Sequence, residues 1–197
     1  MSIDFHNLLD VGHQGAISTR CFYTVASLIQ QGLKIVVCSY VSEQNVGRRR
    51  QVQREVWSLW TQISQDSPRL QGHGHIPLVF SSRRTGTESD PNAGKLGTLR
   101  AAFGDRVVVH IDDPPEILQE FKRHSRILGL GIRTEANFRR LAADQQISFA
   151  DLGECAAYIV ASFAPYSRAN FTAEADKQRQ SIQRRVAFSA TSHGGRL

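Results

Sequence analysis

Long hydrophobic runs are missing from this chain. No apolar stretch approaches the roughly 18 residues of a membrane-spanning helix, so the sequence predicts no membrane partner. The opening residues, MSIDFHNLLD, lack the basic-then-apolar layout of a secretory signal. Cysteine is scarce: Cys21, Cys38 and Cys155 are odd in number, widely spaced and form no C-x-x-C pair. That pattern argues against a disulfide framework or a cysteine zinc site. The expectation is an intracellular, reducing compartment, with the three thiols buried as small hydrophobes. Lysine is rarer still in proportion. Basic residues number 24 against 18 acidic ones, and only 4 of them are lysine, so arginine carries the formal charge of +6.

What the chain does have is alternation. Apolar runs of strand length separate longer stretches of helical period. The strand candidates are Ser2–Phe5, Lys34–Ser39, Ile76–Phe80, Arg106–Asp112 and Ile127–Ile132. Between and after them, helices are expected over Ile17–Gln31, Val46–Ile63, Lys95–Phe103, Pro114–Phe121, Glu135–Ala143 and Phe149–Ala161. Ser81–Gly94, rich in Ser, Thr, Gly and Arg, reads as an exposed loop. Strands alternating with helices predict an α/β fold, a Rossmann-like three-layer sandwich with a mainly parallel sheet. With 197 residues, the reading is one domain over 1–165 and a polar, partly flexible extension over 166–197.

The arginines cluster at 48–50 and 54, at 83–84 and at 179–185. Their forks suit phosphate, so weak, non-specific nucleic-acid binding is an expected side property. No aromatic platform of the kind that stacks single strands is read among them, and a solvated helix face is the simpler explanation. His73-Gly74-His75 offers two imidazoles, but no further ligands accompany them, so no zinc site is expected. His110 alternates with buried valines and reads as a core histidine.

In parallel sheets the ligand site lies beyond the carboxyl ends of the strands. Asp4 ends the first strand, Ser39 the second, and Asp112-Asp113 the strand with the clearest pattern, while Lys95 starts a helix. Taken singly, these are a helix cap, a turn residue and a surface charge. Taken together they are the parts of a phosphoryl-transfer site. Carboxylates hold a hard cation such as Mg²⁺, one carboxylate attacks phosphorus, and a hydroxyl and an ammonium stabilise the transferring group.

In that order the residues resemble the haloacid-dehalogenase-like phosphohydrolases over positions 1 to 133. Asp4-Phe5-His6-Asn7-Leu8-Leu9 is similar to the family's first motif. Ile35-Val36-Val37-Cys38-Ser39 matches the second and Lys95 the third. Val107-Val108-Val109-His110-Ile111-Asp112-Asp113 resembles the acidic fourth motif. The resemblance implies Asp4 as nucleophile, Ser39 and Lys95 as phosphoryl-group partners, and Mg²⁺ held by Asp4, Asp112, Asp113 and the backbone carbonyl of His6. It also implies a phosphorylated substrate, whose identity the residues do not specify. No large cap insertion is visible, which implies a capless form open to bulky substrates. The strand before Asp4 is short, as in a segment cut from a longer protein. One departure is chemical: His6 stands where the family carries its acid–base aspartate. Two functions follow as expectations, an Mg²⁺-dependent phosphatase acting through an aspartyl-phosphate on Asp4, or a catalytically impaired module that binds a protein or a phosphate-bearing partner.

Overall fold

The computed structural model describes residues 1–10, 16–66, 74–87, 89–90 and 92–163. The extension expected over 166–197, together with His13 and His73, lies outside the described residues. Six strands, β1 (Ser2–Ile3), β2 (Val36–Tyr40), β3 (Leu78–Ser81), β4 (Val109–Asp112), β5 (Leu128–Ile132) and β6 (Ser148–Phe149), form one sheet in the order β3-β2-β1-β4-β5-β6. Every pairing is parallel. Between them run α1 (Thr19–Gln30), α2 (Val46–Asp66), α3 (Lys95–Phe103), α4 (Pro115–His124), α5 (Phe138–Ala143) and α6 (Leu152–Phe163). The fold is the expected α/β Rossmann-like three-layer sandwich.

Local chemistry explains the helix ends. Ser18 caps α1 by accepting from the Cys21 amide at 3.3 Å, and Gly32 follows the helix in the left-handed region at φ 85°. Pro115 opens α4, where its missing N–H costs nothing. Glu116 occupies that helix's first turn and Lys122, Arg123 and His124 its last, each matching the helix dipole. Helix α3 begins at Lys95 only because glycines admit a neighbouring loop. A Cβ on Gly94 would overlap the Thr85–Gly86 backbone, and one on Gly97 the Asn92 backbone.

Strand alternation divides the interior in two. One face of the sheet sends Ile3, Val37, Val109 and Ile111 against α1, α2 and α6 in the larger apolar core. The other sends Val36 and Cys38 against Leu96 and Leu99 of α3 and Ile117 and Phe121 of α4. Phe149, expected to open the last helix, instead ends the short strand β6, and α6 starts at Leu152. That strand has two residues, too few to show a period, and is held by bonds from Gly131 and Arg133 amides to the Ile147 and Phe149 carbonyls.

Candidate functional site

The chain builds outward from β1 through β2 to β3, then crosses back to β4 and builds the other way. Strands β1 and β4 are therefore the topological switch point, where sheets of this kind leave a crevice. Ile3 pairs with Ile111 in register, and the Asp4 amide donates to the Ile111 carbonyl at 3.0 Å. Asp4 thus stands level with Asp112 across the switch point, and both are buried.

Lys95 is also buried, 2% exposed, and an ammonium in such a place needs compensating charge. Its Nζ lies 2.7 Å from Asp4 Oδ1 and 2.7 Å from Asp112 Oδ2. The contact with Asp112 is an aligned hydrogen bond. That with Asp4 is a close ion pair in which Oδ1 accepts no aligned hydrogen bond. Asp112 has further support: His110 Nε2 lies 2.9 Å from its Oδ2, and its Oδ1 accepts from the Asp113 amide at 3.0 Å. His110 is the core histidine expected, with Ser2 Oγ 2.8 Å from Nδ1 and Phe121 stacked on the ring. It also buttresses the site, a role its place among valines did not signal.

These contacts set the charges. Burial raises the proton affinity of Asp4, and the neighbouring Asp112 adds to this. Lys95 opposes both, and the pKa rests at about 7. Burial pushes Asp112 upward as well, but Lys95 and His110 outweigh it and hold the group at about 2. Lys95 would be drawn down by burial, yet its two carboxylates reverse that and keep it charged. Burial keeps His110 neutral by lowering its pKa. Asp113 is raised by burial and by Asp112, against a 2.9 Å hydrogen bond donated by Asn7.

Asn7 adopts φ 62°, the left-handed conformation that asparagine tolerates better than most residues. Asn137 donates to the Asp113 carbonyl at 2.7 Å and the Ile132 carbonyl at 2.9 Å, tying the loop after β4 to the end of β5. Neither asparagine carried a signal readable in the sequence, because each acts through loop geometry.

The acidic cluster fits a divalent cation. Carboxylate oxygens of Asp4, Asp112 and Asp113 all lie within 4.8 Å of one another. Lys95 supplies one positive charge against three carboxylates, and Asp4 and Asp113 hold their protons more tightly than usual. Such an all-oxygen, electron-rich donor set is what a hard cation takes.

A crevice of about 300 Å³ opens beside the cluster, lined by Asp4, His6, Tyr40, Arg48, Arg84 and Lys95 among others. Two arginines read as surface charge therefore stand on its wall. Arg48 donates from Nη2 to His6 Nδ1 at 3.1 Å and to Asp10 Oδ2 at 2.7 Å. A guanidinium cannot accept, so Nδ1 of His6 must. Arg84 lies over the Tyr40 ring, 5.8 Å from its centroid.

Of the residues expected from the sequence, Asp4, Lys95, Asp112 and Asp113 converge, and His6 faces the same crevice. Ser39 does not join them in the same way. It alternates with Cys38 and sits on the Val37 side of β2, the face of the larger core, and its buried hydroxyl has no hydrogen bond. A cavity of about 940 Å³ between α2 and β3 is lined by none of these residues. No family model, curated protein or solved structure matches this chain.

Proposed function

We propose that the chain is a divalent-cation-dependent phosphohydrolase acting through Asp4, with Mg²⁺ the cation its oxygen donors suit. One observation carries the reading: Asp4 and Asp112 meet at the switch point over a shared, buried Lys95, with Asp113 close enough to complete a cation site. A purely structural core rarely retains three carboxylates and an ammonium, because each costs several kcal/mol to desolvate.

The Asp4, Asp112 and Asp113 carboxylates, with the His6 carbonyl, would hold the cation. When bound it would supply positive charge to the phosphoryl oxygens and favour ionised Asp4. A carboxylate oxygen of Asp4 attacks phosphorus, and the bond from phosphorus to the leaving oxygen breaks. Lys95 stabilises the charge on the transferring group, and Arg48 and Arg84 offer guanidiniums to the anionic substrate. Water then attacks phosphorus, releasing phosphate and restoring Asp4.

His6 limits this cycle. With Nδ1 accepting from Arg48, the neutral ring carries its proton on Nε2. That proton hydrogen-bonds a leaving oxygen but is a poor acid, and the occupied Nε2 cannot accept a proton from water. This specific contact favours, as the second reading, a module that takes up phosphoryl groups or phosphate-bearing partners and turns over slowly.

Turnover of a nitrophenyl phosphate and an alkyl phosphate tests the proposal. Phenolic leaving groups need little protonation, so slow hydrolysis of the nitrophenyl ester and far less of the alkyl ester is expected with Mg²⁺. Chelator removes the activity and Asp4→Asn abolishes it, while His6→Asp raises alkyl phosphate turnover by roughly 10²-fold or more, the usual size of an acid–base contribution. Absence of hydrolysis by the wild type and by His6→Asp, together with no Mg²⁺ binding, overturns the enzyme reading.

A further inference from the structure

The cavity between α2 and the edge strand β3 measures about 940 Å³ and shares no lining residue with the carboxylate crevice. Gly47, Arg50, Arg54 and Trp57 fall at i, i+3, i+7 and i+10 along α2 and form one stripe on its wall. His75 and Phe80 stand on the β3 side. Trp57 is 62% exposed, a large apolar surface left in water. Its ring lies 6.2 Å from that of His75 at 47°, so the two do not cover each other by stacking. The acidic residues of α2 are turned elsewhere. Glu55 and Asp66 line a different cleft toward α1, where Glu55 accepts from the Ile17 amide at 3.4 Å. Trp57 lies three residues after Arg54 on α2, and Phe80 of β3 lines the same cavity.

We propose that this groove binds single-stranded nucleic acid, with Arg50 and Arg54 on phosphates and Trp57, assisted by His75, stacking a base. Charge complementarity and the exposed ring argue for this occupant. Guanidiniums track a phosphate backbone, and an exposed indole beside them is the element that single-strand sites add to plain electrostatics. An acidic peptide would use the arginines and leave the indole idle. Duplex holds its bases in the stack and cannot reach it. The groove and the carboxylate crevice share no lining residue: in the first turn of α2, Gly47 and Arg50 line the one and Arg48 the other. Binding here does not depend on turnover at Asp4.

The test is fluorescence anisotropy of the full chain with labelled oligothymidylate, the matching duplex and polyglutamate at two salt concentrations. Expected is tighter binding of the single strand than of duplex or polyglutamate. Trp57→Ala should weaken it roughly tenfold, from a stacking contribution of about 1–3 kcal/mol per base. Arg50→Gln with Arg54→Gln should flatten the plot of log affinity against log salt by about 1.4, two phosphate contacts at about 0.7 each. All three positions are exposed, and unchanged thermal melts would confirm intact folding. Single-strand binding that is undiminished in the triple variant would place the contact elsewhere, in the arginines beyond position 166 for instance, and overturns the proposal. Equal binding of polyglutamate, or no binding by the wild type, overturns it as well.

Discussion

The two faces of the central strands are built from the same residues in alternation, yet they solve opposite problems. Toward α1, α2 and α6 the strands β1 and β4 present Ile3, Val109 and Ile111, all buried, and the face is held by apolar contact. Toward α3 and α4 the same strands present Ser2, Asp4, His110 and Asp112, equally buried, closed over by Lys95. Apolar burial of this kind contributes about 1.5–3 kcal/mol per large side chain. Buried ionic groups often return no net stability. The difference teaches where stability and chemistry reside: one face supplies the free energy that holds the other face's charges out of water.

The comparison breaks most visibly at Lys95. Lys95→Met keeps the volume and removes the only ammonium between two buried carboxylates. A loss of roughly 3–5 kcal/mol is expected at pH 8. Urea unfolding should show a smaller loss at pH 5, where Asp4 takes up a proton. A loss independent of pH would show that Asp4 and Lys95 are not electrostatically joined.

The second test is the pH dependence of the wild type without metal. Asp4 is raised in the folded state, from 3.8 to about 7. Its contribution is therefore fully present below about pH 4 and is lost as pH rises through 7, by on the order of 4 kcal/mol. Asp112 is depressed to about 2, so its contribution is present above about pH 4 and fades as pH falls toward 2. From pH 5 to pH 8 the wild type should lose stability relative to Asp4→Asn, on top of the opposite trend set by the buried His110 and the Met1 amino group, whose proton affinities burial lowers, and Mg²⁺ should raise the melting temperature more at pH 8 than at pH 5. A wild type that gains stability relative to Asp4→Asn over this range would contradict the charge assigned to Asp4.

The smallest effect belongs to the apolar face. Ile111→Val removes one methylene, for which about 0.5–1.5 kcal/mol is expected. Mg²⁺ affinity and the pH profile should stay as in the wild type. If they shift, the two faces are less independent than their packing implies.

Much of this arrangement was legible in the sequence. The run Val107–Asp113 announced a buried strand ending in acids, and the order Asp4, Ser39, Lys95, Asp112 pointed to one end of one sheet. The helix expected over Lys95–Phe103 has those bounds in the structure, with Gly94 and Gly104 as its caps. Ser39 shows the limit of that reading. Strand β2 runs one residue past Ser39, to Tyr40, and because alternate residues face opposite ways, that single step decides whether Ser39 or its neighbours Cys38 and Tyr40 face the crevice. The wall arginines were invisible as site residues for a related reason. Arg48 reaches the crevice from the start of α2, and Arg84 from a loop whose path depends on Gly94 and Gly97. Arg50, Arg54 and Trp57 recur on the polar side of α2, and apolar period marks only the opposite side, through Val52, Val56, Leu59 and Ile63.

The claim at the centre is that Asp4 takes a phosphoryl group. Intact-mass measurement after incubation with Mg²⁺ and an acyl phosphate donor, followed by peptide mapping, tests it directly. In the proposed cycle the engagement of His6 by Arg48 would slow the second half, so the covalent species should accumulate. The predicted result is a single added phosphoryl group on Asp4, lost with chelator and absent in Asp4→Asn. An adduct on another residue, or one formed equally well without Mg²⁺ or in Asp4→Asn, would contradict the account.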